Sequence, residues 1–317
     1  MANNYFIPAH IWTPWFSMLG SKSGFDSPEE CFSDLAPHIH TIETGLSTDP
    51  PMNWLCSFLD NLTLVSNSDA HSPDRLGRNA NIFNTEVDYF SMIDALRTGN
   101  PEKYLGTIDM FPQKGKYYYD GHRKCSVCWN PAETLRHNSI CPKCNRPVTI
   151  GVMNRIIQLS DRQNIAKRPG KLPFRSIIPL KEIISEIAGV GEKSKKVEAD
   201  YNQTLQKLGS ELDILLEIPL KEIENKTKSV LAEAIRRMRN REIIIREGYD
   251  GEYGAVKVFR PGETLQYETG NAFFQTEIPA TPKPQALINF DLKGIQKLLH
   301  QKEEMEIIAA KKQKNTK

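Results

Sequence analysis

The chain has 317 residues, 39% of them hydrophobic and 25% charged, with a net charge of only +2. That length carries about two domains with a sizeable core, and the composition excludes a disordered or collagen-like chain. Near-balanced charge means that any nucleic-acid surface must be local, and no apolar run approaches the ~18 residues of a membrane span.

Residues 1–108 read as α/β. Short apolar segments at Tyr5–Ala9, His40–Glu43 and Leu62–Ser66 alternate with helical patterns. Ser27, Pro28 and Glu30 supply an N-cap, a Pro at the first helical position and the Glu of a capping box, predicting a helix to about Leu35. A second helix, over about 88–98, carries Phe90, Ile93, Ala95 and Leu96 before Gly99. Strands alternating with helices predict a parallel sheet or barrel, with ligands gathered at the carboxyl ends of its strands. Trp12 and Trp15 are expected in the core.

Residues 109–150 read as a small metal-stapled module. Cys125-Ser-Val-Cys128 and Cys141-Pro-Lys-Cys144 lie twelve residues apart, the spacing of a structural zinc site with four thiolates. On that reading Cys125, Cys128, Cys141 and Cys144 complete the shell, and the neighbouring His122 and His137 stay out of it. Cys-x-x-Cys pairs point to a reducing compartment rather than to disulfides. The stretch MANNYFIPAHIW lacks the basic segment and long apolar core of a secretory signal, so a cytoplasmic location is expected.

Residues 151–260 are mainly helical. Leu180, Ile183, Ile184 and Ile187 form one stripe, Val197, Tyr201 and Leu205 a second closed by Gly209, and Val230 to Met238 a third. The hexapeptide IPLKEI occurs at 178–183 and again at 218–223, predicting two related helix-turn units. Residues 261–317 are expected to be an extended segment ending in a solvated tail, KKQKNTK. The Gly-rich stretch 248–254 reads as a tight hairpin without assigned chemistry.

Candidate catalytic residues stand at the ends of the apolar strands. His10, Glu43, Asp69 and His71 each sit at or just after one, and in a barrel such ends converge. Imidazoles and carboxylates so placed hold zinc, manganese or magnesium, which activate water or steady a phosphoryl oxygen. His38 and His40, in PHIH, fall at the opposite rim of the Glu43 strand and are set aside as a metal pair.

The motifs FIPAHIWTPW, ETGLS, SNSDAHSPDRLGR, the paired Cys-x-x-Cys and EGYDGEYG occur in the order found in endonuclease Q, which the chain resembles from residue 4 to about 260. The resemblance implies a PHP-type (polymerase and histidinol phosphatase) phosphoesterase barrel, a zinc module and a helical domain. It implies metal-dependent cleavage of DNA on the 5′ side of uracil, hypoxanthine, xanthine or an abasic site. His10, Asp69 and His71 become metal ligands by motif, and Glu43 a ligand or a support for one. Against the family's pattern, the chain begins in the middle of the PHP domain, so a partial barrel is expected. The first His-x-His strand is then missing, as expected of a truncated gene product, one half of a split enzyme or a relative no longer catalytic. Some bacterial relatives resemble this unit joined to a helicase of the UvrD type, although no Gly-x-x-x-x-Gly-Lys-Ser/Thr loop is present here.

Duplex DNA is the expected partner. IAGVGEKSKKV, at 187–197, resembles a helix-hairpin-helix, in which Gly189 and Gly191 expose backbone N–H groups to a phosphate and Lys193, Lys195 and Lys196 add charge. Arg236, Arg237 and Arg239 belong to a basic run that extends that surface. Arg75 and Arg78 follow the Asp69/His71 turn as bidentate donors to the scissile phosphate, which makes Asp69 and Arg78 the candidate catalytic pair. QALINF, at 285–290, resembles a sliding-clamp peptide. A catalytically silent zinc-containing DNA-binding module and a small-molecule phosphoesterase are the rival readings.

Overall fold

The structure, a computed structural model, describes residues 4–167, 170–264, 283, 285–288, 291–299 and 301–302. The predicted β alternation at the N-terminal end yields β1 (Thr41–Glu43) and β2 (Thr63–Val65), which pair in parallel with Glu43 opposite Val65. All six residues are buried, as in a sheet covered on both faces. Tyr5–Ala9 is not a strand. Pro8 has no N–H to give a ladder, and the segment is tied to β1 by Glu43 N–H to Pro8 O at 3.0 Å and Ile11 N–H to Glu43 O at 3.1 Å.

α1 (Pro28–Phe32) starts as predicted, with the Ser27 hydroxyl accepting from Glu30 N–H. It then tightens into a 3₁₀ turn over Ser33–His38, which contains Pro37. α2 (Pro50–Asn53) follows β1, and β3 (Ala80–Phe83) precedes α3 (Tyr89–Thr98). Asp88 caps the start of α3, and Gly99 in the left-handed region stops it. Phe90, expected on its core stripe, is exposed; Ala95 and Leu96 make the buried contact.

β4 (Tyr104–Met110) is the centre of a three-stranded sheet, antiparallel to β3 and parallel to β7 (Phe174–Ile177). The Tyr104 hydroxyl donates to Leu64 O at 2.8 Å, joining this sheet to β2. β5 (Asp120–His122) and β6 (Val127–Trp129) make the hairpin of the cysteine module, followed by α4 (Pro131–Arg136). α5 (Val152–Leu159) returns to the α/β core, where Val152, Met153 and Ile156 pack with Ile11, Trp12, Ile42 and Leu55. The helical part therefore begins at Leu180, later than the change in composition at 151.

That part comprises α6 (Leu180–Ala188), α7 (Lys195–Leu208), α8 (Glu211–Leu216), α9 (Leu220–Lys226) and α10 (Ser229–Arg239). Both IPLKEI copies start a helix: Pro179 and Pro219 take nearly the same backbone angles as N-caps, and Ile183 and Ile223 are fully buried. The repeat is thus structural, α6–α7 and α9–α10 being two helix-turn-helix units. β8 (Ile244–Arg246) and β9 (Ala255–Lys257) form a hairpin around the Gly-rich stretch.

Residues 292–299 are helical rather than extended, and Leu292 and Ile295 join the α/β core. Of QALINF, Asn289 and Phe290 lie outside the described residues, as does KKQKNTK. No helix among the described residues is long and apolar enough to cross a membrane.

Candidate active-site cleft and metal centre

Because β1 and β2 run in parallel, the loops leaving their carboxyl ends emerge on one edge. Glu43 ends β1 there, buried, and both its oxygens are engaged: Oε2 accepts from the His10 backbone N–H at 2.6 Å and Oε1 from the Asn67 amide at 2.9 Å. Glu43 therefore ties the two loops together, the supporting one of its two equally expected roles, and lines the cleft between them. His10 and Asp69 have φ of 32° and 46°, in the left-handed region that non-glycine residues rarely adopt. Such strain is concentrated at functional sites. Gly45, at φ 77°, lies so close to His10 that an added Cβ would stand 2.9 Å from the His10 Cβ.

His10, Asp69, His71 and Arg75 line one cleft of about 720 Å³. His71 Nδ1 bonds to the Asp69 carbonyl at 2.7 Å. The donors are of the right chemistry for a divalent cation, two imidazoles and a carboxylate. They share a wall, but their ligand atoms are not drawn into a shell: among the described residues the sole group of three or more metal-binding side chains within 4.8 Å lies elsewhere.

Arg78 is committed to structure. It pairs with Glu211 at 2.7 Å and donates to Asp74 O, while Glu211 also accepts from Leu180 N–H and the Tyr201 hydroxyl. Arg78 and Arg75 both line the cleft, Arg78 with this pair made and Arg75 without an ion pair among the described residues. The basic run turns inward instead. Arg236 is clamped by Glu233 and Glu242, Arg237 is buried against Glu233 and Glu263, and Arg239 caps the carbonyls of Ile214, Leu215 and Ile218. These arginines close the helical domain from within.

The turn between α6 and α7 keeps its expected surface. Gly189 takes φ 64° as a C-cap, and Gly191, Lys193, Lys195 and Lys196 are exposed. Among the described residues the N–H groups of Gly191, Glu192 and Lys193 donate to no protein acceptor. Glu192 reaches the cleft wall itself, joined there by Lys114, Lys116, Tyr117 and Tyr253. Sequence reasoning passed over these; its one signal was the basic and aromatic alternation in QKGKYYY. Of the two tryptophans, Trp12 is buried with Nε1 donating to Asn53 Oδ1, whereas Trp15 is 41% exposed and edge-on to Tyr117.

The group that does converge is His122, Cys125, Cys141 and Cys144, with all donor atoms within 4.8 Å of one another. Tetrahedral zinc with ligand bonds of roughly 2.0–2.3 Å needs separations of this order. His122 Nδ1 lies 3.3 Å from Cys144 Sγ. Burial opposes the Cys141 thiolate, but the Lys143 and Cys144 N–H groups outweigh it and bring the thiol down to about 6. The converging group thus takes in His122, where the spacing pointed to Cys128. Strand alternation explains why: Cys128 pairs with Gly121 and His122 with Val127, so Cys128 faces the other side of the hairpin. There Cys128 is exposed, yet partial desolvation, with Glu247 and Asp120 adding, pushes its thiol up to about 11.

The chain is an α/β protein whose fold is similar to that of endonuclease Q. The MJ0043 C-terminal domain family matches residues 179–242, spanning both helix-turn-helix units. The uncharacterized protein MJ0043 of Methanocaldococcus jannaschii is 32% identical over 81% of the chain, and the uncharacterized protein YqxK of Bacillus subtilis is 30% identical over 80%. Among solved structures, the lesion-specific endonuclease PfuEndoQ of Pyrococcus furiosus matches with a TM-score of 0.72 and 31% identity over 82% of the chain. Endonuclease Q in complex with a 27-mer duplex carrying an abasic lesion at the active site matches at 0.71 and 32%, also over 82%. The chain spans 32% and 60% of the two curated relatives, and 63% and 64% of the two solved chains.

Proposed function

We propose that this chain is the larger part of a DNA-repair endonuclease that hydrolyses a phosphodiester beside a damaged nucleotide. The observation that carries the reading is the cleft itself. His10, Asp69 and His71 line it from loops beside the carboxyl ends of β1 and β2, and Glu192 of the α6–α7 turn stands in its wall, so a duplex held by that turn lies against the metal donors. His10, Asp69 and His71 hold a divalent cation, zinc, manganese or magnesium, which supplies an activated water when bound. Further ligands come from a companion chain. Arg75 receives the phosphate, and Lys193, Lys195 and Lys196 with the hairpin N–H groups hold the strand as a helix-hairpin-helix does. The His122/Cys125/Cys141/Cys144 centre takes a structural zinc.

Cleavage falls on the 5′ side of uracil, hypoxanthine, xanthine or an abasic site, as in the family the chain resembles. A UvrD-type helicase and a sliding clamp are the further partners of this reading, and the cytoplasm its compartment. Incubation of the chain, alone and with the amino-terminal PHP segment of a relative, with uracil-containing duplex and manganese tests it. A nick that Asp69→Ala abolishes is expected; no nick under either condition rejects the enzymatic reading. The open spacing of the donors favours one rival, a silent DNA-binding module. One metal ion per chain supports that rival, and two or more support the nuclease.

A further inference from the structure

The stretch 248–254 carries more order than a connecting hairpin needs. Gly248 N–H donates to Gln113 O at 2.9 Å, Gly251 N–H to Lys116 O at 3.0 Å and Gly254 N–H to Lys114 O at 3.1 Å. Gly248 and Gly254 approach that segment so closely that a Cβ on either would sit 2.2 Å from a backbone oxygen. Asp250 accepts from Arg123 N–H and from the Thr149 hydroxyl, each at 2.6 Å. The loop is thereby fixed along 113–119, the segment that supplies Lys114, Lys116 and Tyr117 to the cleft.

Its two tyrosines have opposite fates. Tyr249 is buried and packs over Gly121, anchoring the loop to the cysteine module. Tyr253 is 60% exposed and lines the cleft that His10, Asp69 and His71 face. Among the described residues no other ring lies against it, and its one ring contact is the Lys116 ammonium, 4.6 Å from the centroid. Lys116 has no ion pair among the described residues. A rigidly held aromatic ring left in the open beside metal donors contributes little to the fold.

We propose that Tyr253, with Lys116, is a stacking platform for an unpaired nucleobase at the mouth of the cleft. The inference rests on the nuclease reading above and names how that site takes its substrate. A base has a π face whatever its identity, so it stacks on tyrosine without sequence preference. An enzyme that inspects a damaged base must first take it out of the stack. The ammonium of Lys116 neutralises the flanking phosphate of the same nucleotide.

An abasic site has no base to stack, and this gives the test. Binding of the full chain to three duplexes, bearing uracil, an abasic site or no lesion, is followed by fluorescence anisotropy. Tyr253→Ala is expected to weaken binding of the uracil duplex roughly 5- to 50-fold and to change the abasic duplex less than about twofold. Tyr253→Phe, which keeps the ring, restores uracil binding. Equal loss on both lesions, or no loss on uracil, overturns the platform. Absence of duplex binding by the unaltered chain is a different result, and it removes the underlying DNA reading instead.

Discussion

The His10 backbone N–H donates to Glu43 Oε2 at 2.6 Å, so the carboxylate that ends β1 fixes the backbone of the imidazole beside it. The second oxygen of Glu43 takes the Asn67 amide, two residues before Asp69. One buried side chain thus sets the spacing of two loops that carry candidate ligands.

Removing it takes a charged acceptor from two part-buried hydrogen bonds, at about 1–3 kcal/mol in all. Glu43→Ala is expected to lower the unfolding free energy by that amount in urea titration, and Glu43→Gln by less, since an amide oxygen still accepts. The bound structural metal stays in both. A Glu43→Ala protein as stable as the unaltered chain returns Glu43 to the list of ligands.

The cysteine module makes a sharper distinction. Cys128→Ser is expected to retain its metal, because Cys128 lies on the opposite side of the hairpin from His122. His122→Ala and Cys125→Ser are expected to lose it, and with it several kcal/mol of folding free energy, on the order of what a structural zinc supplies. Metal content per chain after gel filtration reads the result directly. Loss of metal from Cys128→Ser restores the site of four sulfurs.

Two kinds of basic residue respond differently. Arg237 is 1% exposed, bonded to Glu233, Glu263 and Val258 O and seated over the Phe259 ring. Arg237→Ala leaves Glu263 buried without its partner and costs about 3–5 kcal/mol. Lys193→Ala changes stability by less than about 0.5 kcal/mol. It lowers the slope of log binding constant against log salt by about 1 on any duplex. The opposite pattern puts the DNA surface on α10.

Such contrasts show which features the residues reveal. Ser27 before Pro28, Asp88 before α3 and Gly99 after it mark helix ends through local hydrogen bonds and backbone angles, and these were legible. The IPLKEI copies were legible too, because proline caps and buried isoleucines act within a few residues. The set of candidate ligands followed from strand ends. What pairs across the chain did not. A basic run has the same appearance whether it faces water or, like Arg237, meets Glu263 26 residues on. Arg78 finds Glu211 133 residues away, and Tyr253 reaches the cleft through a loop strapped to 113–119. Cysteine spacing pointed to a cluster that could hold a metal but not to His122 within it, since strand alternation decides which side chain turns inward.

The buried carboxyl of Asp109 makes stability depend on pH. It is fully buried in β4, Oδ2 accepts from the Thr107 hydroxyl at 2.6 Å, and among the described residues Oδ1 has no partner. Burial outweighs the hydrogen bond from Thr107, the Asp49 carboxyl adds to it, and the pKa is pushed up to about 7. The folded value thus stands above the unfolded one, near 4. Below pH ~4 both states are protonated and the group is neutral toward stability. Between pH ~4 and ~7 the unfolded chain ionises first, so stability falls as pH rises, by on the order of 2–4 kcal/mol, and the loss is constant above that. Asp109→Asn keeps an acceptor for Thr107 and cannot ionise. Its unfolding free energy, measured in urea at pH 4.5 and 8, is expected to lack this fall, making the variant relatively more stable at the higher pH. An equal response of both proteins shows that Asp109 is ionised in the folded chain.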